Sequence, residues 1–165
     1  MNVELELLIL LRLLVAAILG GIVGYERAVT GKQAGLRTHM LVAMGSALFV
    51  STSDLAIDWA RTVSFPEAPS VVQVQMAVLS PVQAIATGIG FLGAGTIFMS
   101  GDQPRVHGLT TAASIWVIAA VGIAAGCDRY VLAIGTSLLM LVILHVLVHL
   151  EPKPKPARED PATSL

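Results

Sequence analysis

The stretch Ala86–Phe98, "ATGIGFLGAGTIF", decides the fold. Gly88, Gly90 and Gly93 give the G-x-G-x-x-G spacing of a dinucleotide-binding loop, and Gly95 follows. Such a loop follows a strand, opens a helix and leaves its backbone accessible to a pyrophosphate, with an acid about 20 residues on for the ribose. Here the glycines lie in the middle of an apolar run, and the acid that follows, Asp102, is too near. The context of a phosphate cradle is missing. Gly88, Gly90, Gly93 and Gly95 read instead as part of a membrane helix. There small residues serve close helix packing, or mark a broken helix whose freed backbone groups line a substrate path.

Composition points the same way. Of 165 residues, 55% are hydrophobic and 13% charged, with mean hydropathy +0.80, whereas an average soluble domain carries about 25% charged residues. A net charge of −1 leaves no broad basic surface, so no nucleic-acid partner is expected. The single cysteine, Cys127, excludes an internal disulfide and a cysteine-built metal site. The first apolar run follows Glu4 and Glu6, where a cleavable signal would open with basic residues, so it reads as a retained span.

Five segments have the roughly 20 mostly apolar residues that a spanning helix needs. They are about 6–25, 36–53, 81–100, 108–126 and 130–150. The expected fold is therefore all-α, a polytopic bundle of about five transmembrane helices rich in glycine, occupying 1–150. Seven cations (Arg27, Lys32, Arg37, Arg105, Lys153, Lys155 and Arg158) fall on one side of this arrangement. The positive-inside rule then puts the N-terminus outside and the C-terminus in the cytoplasm. The tail 151–165, "EPKPKPAREDPATSL", is Pro-rich and charged and is expected to be disordered. Residues 54–80 read either as an interfacial amphipathic segment or as an extension of the third span kinked at Pro81.

Ionisable residues within a membrane are costly and mark functional sites by default. Arg12 lies inside the first span and either snorkels to the outer interface or pairs with a carboxylate from 54–67. Glu26 and Arg27 end the first span. Lys32, Arg37 and His39 follow as a cationic cluster at the mouth of the second, which reads as a topological anchor or as an anion, headgroup or partner site. Glu26 is placed to neutralise Arg37 across the helix pair. Thr110, Thr111 and Ser114 open the fourth span, where hydroxyls cap a helix or bond to a neighbour. His145 and His149 share a helix face at i, i+4, but only Glu151 is near as a third ligand, so no metal site is assigned. Asp54, Asp58, Glu67 and Asp128 fall on the outer side, as an acidic vestibule or as solvated loop residues.

The blocks "RLLVAAILGGIVGYER", "GKQAGLRTHMLVAMGSALF", "GIGFLGAGTIF" and "GLTTAASIWVIAAVGIAAG", in that order, resemble the MgtC/SapB family of bacterial inner-membrane proteins. The resemblance implies a five-helix hydrophobic domain in the plasma membrane. It also implies a role in adaptation to low Mg²⁺ and in pathogen survival inside macrophages. Some members are thought to act on other membrane complexes, including the F-type ATP synthase. The family's polar signature falls on Glu26, Arg27, Arg37, Thr38 and His39, with Gly88–Gly95 and Gly108–Thr111. Two departures stand out. Many relatives carry an acidic-x-x-Arg element before the glycine-rich span, where this chain reads "AVLSPVQ". Longer members also carry a soluble domain after the fifth span, where a short tail is expected here.

Two functional classes follow. One is a regulator or adaptor that works through helix–helix contact with other membrane complexes. The other is a small oligomeric transporter or channel for magnesium or another ion, although a cationic mouth suits an anion better than a divalent cation. An enzyme ranks last, because no nucleophile–base pair or metal constellation is present, and no cofactor is expected. The expected partners are the lipid bilayer, other membrane complexes or a second copy of the chain.

Overall fold

The structure, a computed structural model, describes residues 3–64, 71–99 and 106–147, with backbone alone at 54, 56–64, 71–80, 98 and 99. Five helices and one pair of short strands follow in order: α1 (Val3–Val29), α2 (Leu36–Ser64), α3 (Val71–Gly95), β1 (Phe98–Met99), β2 (Val106–His107), α4 (Leu109–Gly126) and α5 (Tyr130–Val146). The strands pair antiparallel, with Phe98 opposite His107 and Met99 opposite Val106.

Small residues draw α1, α2 and α4 together. Gly20 and Gly24 on α1, Ala43 and Ala47 on α2, and Gly122 and Gly126 on α4 each recur at i, i+4, and so line one face of their helix. The approach is backbone to backbone. A Cβ on Gly20 would lie 2.5 Å from the His39 carbonyl oxygen, one on Gly24 2.8 Å from Leu36 Cα, and one on Gly122 2.2 Å from the Ala43 carbonyl oxygen. Ala16, Val23, Ile118 and Val121 fill the remaining core. The large side chains lie outside. Leu7, Leu10, Leu14 and Ile18 on α1, and Val131, Leu132, Leu138 and Val142 on α5, are exposed. A contiguous apolar exterior of this kind is foreign to a soluble monomer and suits a lipid surround. Helices α1 and α4 are long and apolar enough to cross a membrane, and α5 is an apolar helix of 17 residues.

Two helices end on the same device. At the end of α1, Gly31 adopts φ 69°, its N–H donates to Ala28, and the Lys32 N–H donates to the Arg27 carbonyl at 2.9 Å. At the end of α4, Asp128 adopts φ 60°, its N–H donates to Ala125, and the Arg129 N–H donates to Ala124 at 2.8 Å. Both are Schellman closures, which satisfy terminal carbonyls through one left-handed residue.

The boundaries correct the sequence-based reading in three places. Helix α2 runs to Ser64 rather than 53, so 54–64 extends the second helix and not the third, while α3 begins at Val71 with Pro81 inside it, so 71–80 extends the third. Helix α3 is continuous through Gly88–Gly95 rather than broken there, and it stops at Gly95 rather than near 100. The strand pair was not anticipated, because two residues carry no periodicity to read. The tail 151–165, His149, Glu67, Asp102 and Arg105 lie outside the described residues, as do the side chains of Asp54 and Asp58.

Candidate functional site

The last turn of α1 carries the charged part of the site. Arg27, 1% exposed, donates from Nε to Glu26 Oε2 at 2.6 Å and from Nη2 to Oε1 at 2.9 Å. Adjacent residues on a helix point about 100° apart, so both side chains bend to meet. The pair is the fork-on-carboxylate geometry that makes Arg–Glu contacts strong. The third guanidinium nitrogen, Nη1, is buried without a partner among the described residues. A buried unpaired donor is uncommon and marks a strained or functional position.

His39 lies beside it in the interior. Gly24 leaves the space, since a Cβ there would come within 2.9 Å of the His39 Cβ. The ring is fully buried. Its Nδ1 lies 2.9 Å from the Gly35 carbonyl and its Nε2 3.1 Å from Ser114 Oγ. A carbonyl only accepts, so Nδ1 carries the hydrogen. In the neutral ring Nε2 accepts the Ser114 hydrogen, and the Thr111 carbonyl, 2.7 Å from Ser114 Oγ, is the competing acceptor. His39 thus ties α2 to α4, while the Arg27–Glu26 pair sits in the last turn of α1.

Several expectations from sequence change here. Arg37 is exposed and forms no ion pair among the described residues, so Glu26 neutralises Arg27 rather than Arg37. Lys32, Arg37 and His39 do not form one cluster: Lys32 and Arg37 are exposed, whereas His39 is interior. Thr38 is half-buried. Ser114, not Thr110 or Thr111, makes the cross-helix bond. The N-cap of α4 is Gly108, with no side-chain cap, so neither threonine caps it. Of the glycine run only Gly93 is buried, 3.6 Å (as a built Cβ) from Ala112 Cβ, and a Cβ on Gly88, Gly90 or Gly95 would meet nothing within 4 Å among the described residues. Arg12 pairs with Asp128: its Nε donates to Oδ1 at 2.8 Å and its Nη2 bonds Oδ2, while the Tyr130 hydroxyl donates to Oδ1 at 2.9 Å; the acidic side chains of 54–67 lie outside the described ones. Among the described residues no three His, Cys, Asp or Glu side chains gather as a metal site, and His145 is exposed.

Fold and site together define a helical membrane protein with a buried arginine paired to a partly buried glutamate and a buried histidine at one end of its bundle. The chain belongs to the MgtC family, whose profile matches residues 13–153. Among its relatives is a protein of Escherichia coli K12 named putative magnesium transporter YhiD, 41% identical over 137 residues that cover 83% of this chain and 59% of the relative. Protein SrpB of Synechococcus elongatus is 42% identical over 139 residues, covering 80% of this chain and 71% of that one. Protein MgtC of Salmonella typhimurium is 37% identical over 132 residues, covering 80% and 49%. The chain therefore spans less than two thirds of the length of the first of these relatives. No solved structure matches it.

Proposed function

We propose that this chain is a multi-pass protein of the bacterial inner membrane, with five spans, its N-terminus outside and its C-terminus cytoplasmic. It acts in adaptation to low magnesium as a regulator or adaptor of other membrane complexes. The observation that carries this reading is the outward face of α3. Among the described residues nothing fills the space where a side chain on Gly88, Gly90 or Gly95 would be, and Phe91 between them is 87% exposed. Helix α3 thus leaves backbone open to other helices on two sides, at Gly88 and Gly95 and, about 200° round the helix, at Gly90, while α1, α2 and α4 use their small-residue faces on one another. Arg37, exposed at the start of α2, is a second point of contact.

A transporter reading is favoured by one observation, the name of the Escherichia coli relative. The test separates the two. The chain is purified, reconstituted alone in liposomes with insertion verified, and assayed for Mg²⁺ flux beside Arg37→Ala. Absence of flux is expected, together with loss of growth at low Mg²⁺ in cells carrying Gly90→Trp at normal abundance. Flux that Arg37→Ala removes would establish the transporter and end the adaptor reading.

A further inference from the structure

The buried contact between α2 and α4 holds more acceptors than hydrogens. Ser114 Oγ lies 2.7 Å from the Thr111 carbonyl and 3.1 Å from His39 Nε2. Its hydroxyl has one hydrogen to give. The shorter contact is the one that helical serines make in this chain, since Ser53 and Ser137 donate to carbonyls of their own helices at 2.8 and 2.9 Å. With the Ser114 hydrogen on Thr111, a neutral ring sets the Nε2 lone pair against the lone pairs of Ser114 Oγ. The other ring nitrogen is committed, because Nδ1 donates to the Gly35 carbonyl at 2.9 Å. Solvent does not relieve the conflict, as His39 is 0% and Ser114 2% exposed.

A proton on Nε2 removes it. Nδ1–H then donates to Gly35, Nε2–H donates to Ser114 Oγ, and the Ser114 hydroxyl donates to Thr111. Three bonds run in series, every hydrogen has its own acceptor, and the two from the ring are charge-assisted. The charged groups that act on the ring come from α1: Arg27 opposes an added charge and Glu26 favours it. Helix α4 brings no titratable side chain, and Arg37, on α2 itself, is exposed. Burial works against the added charge, so uptake belongs to acid conditions.

We propose that His39 and Ser114 form a buried proton-binding site that makes the α2–α4 contact respond to acid. In the neutral ring Nε2 and the Thr111 carbonyl compete for the Ser114 hydrogen. In the protonated ring the bond runs from His39 to Ser114. The site does not depend on whether the chain regulates or transports, and proton binding is read without either activity. The full chain, with its histidine rings labelled with ¹⁵N, is held in dodecyl maltoside and followed by NMR from about pH 8 down to about pH 4, a range that brackets ordinary histidine titration. Circular dichroism reports the fold at each pH, and the His39 signals are those lost in His39→Gln. Nε2 is expected to be bare at the alkaline end and protonated at the acid end while the chain stays folded. Ser114→Ala offers the ring no acceptor and should bind the proton about tenfold more weakly. Ser137→Ala, a buried serine that bonds only within α5, should bind it as the parent does. The titration of the parent remains decisive should Ser114→Ala fold poorly. An Nε2 that stays bare throughout, a chain that unfolds before Nε2 is protonated, or a Ser114→Ala variant that titrates like the parent overturns the proposal.

Discussion

Helix α1 carries two arginines, each paired with a carboxylate, about 22 Å apart along its axis. Arg27 is sealed in the bundle against its own neighbour Glu26. Arg12 reaches across to the α4–α5 turn, where the side chain of Asp128 is 51% exposed. The chemistry is the same and the surroundings differ. In water a broken ion pair loses little, because each charge is resolvated. In the interior the survivor of a broken pair is stranded, and that penalty exceeds anything the pair contributed. The Glu26 end is therefore brittle and the Asp128 end forgiving.

The largest expected effect tests that brittleness. Glu26→Gln leaves the Arg27 guanidinium buried without a counter-charge and should destabilise the fold by about 3–5 kcal/mol in a denaturant titration. The double change Glu26→Gln with Arg27→Met should recover most of that loss, since removing both charges leaves an apolar side chain in an apolar place. If Glu26→Gln is as stable as the parent, another group compensates Arg27 and the two ends do not differ as argued.

Gly122→Ala comes next. The added methyl would sit 2.2 Å from the Ala43 carbonyl oxygen, which only a movement of α2 or α4 can relieve. Overpacking of this kind costs about 1–3 kcal/mol, and should appear as low membrane abundance and a lower melting temperature. Gly90→Ala meets open space and should leave stability unchanged or slightly raised by its helix propensity. Equal loss from both would mean that the α3 face is packed in the cell by a resident partner. Ser114→Ala is of the same order as Gly122→Ala. It leaves His39 Nε2 buried without a partner, for about 1–3 kcal/mol, while the Arg27–Glu26 pair stays closed.

How much of this was legible in the sequence follows from what local patterns encode. Hydropathy located all five helices, because each spends most of its length among apolar residues. It misplaced the end of α2, since Asp54, Asp58 and Arg61 lower hydropathy without stopping a backbone that still closes its own hydrogen bonds. The small-xxx-small spacings of Gly20 with Gly24 and Gly122 with Gly126 were readable, and these glycines do make close backbone contacts between helices. The denser run Gly88–Gly95 drew more attention yet buries only Gly93. Spacing says that a helix can be approached, not by what. Partners distant in sequence were out of reach: Arg12 and Asp128 are 116 positions apart, and His39 and Ser114 are 75 apart. Glu26 had two cations within reach by sequence, and only burial separates Arg27 from Arg37.

The smallest effect is the most discriminating at the forgiving end, because Asp128 does two things at once. It closes α4 in the left-handed region, which Asp and Asn tolerate better than most residues, and its carboxylate receives Arg12 and Tyr130. Asp128→Asn keeps the turn and removes the charge, so it should lose no more than about 1 kcal/mol, a loss that fades as salt is raised. Asp128→Gly also removes the pair but relaxes the backbone, and should melt near the parent because the two changes offset. Asp128→Ala loses the pair and keeps the strain, and should melt lowest of the three. The order Ala below Asn, with Gly near the parent, separates turn from charge. If all three melt together well below the parent, the carboxylate alone holds this end and Arg12 is as indispensable as Arg27.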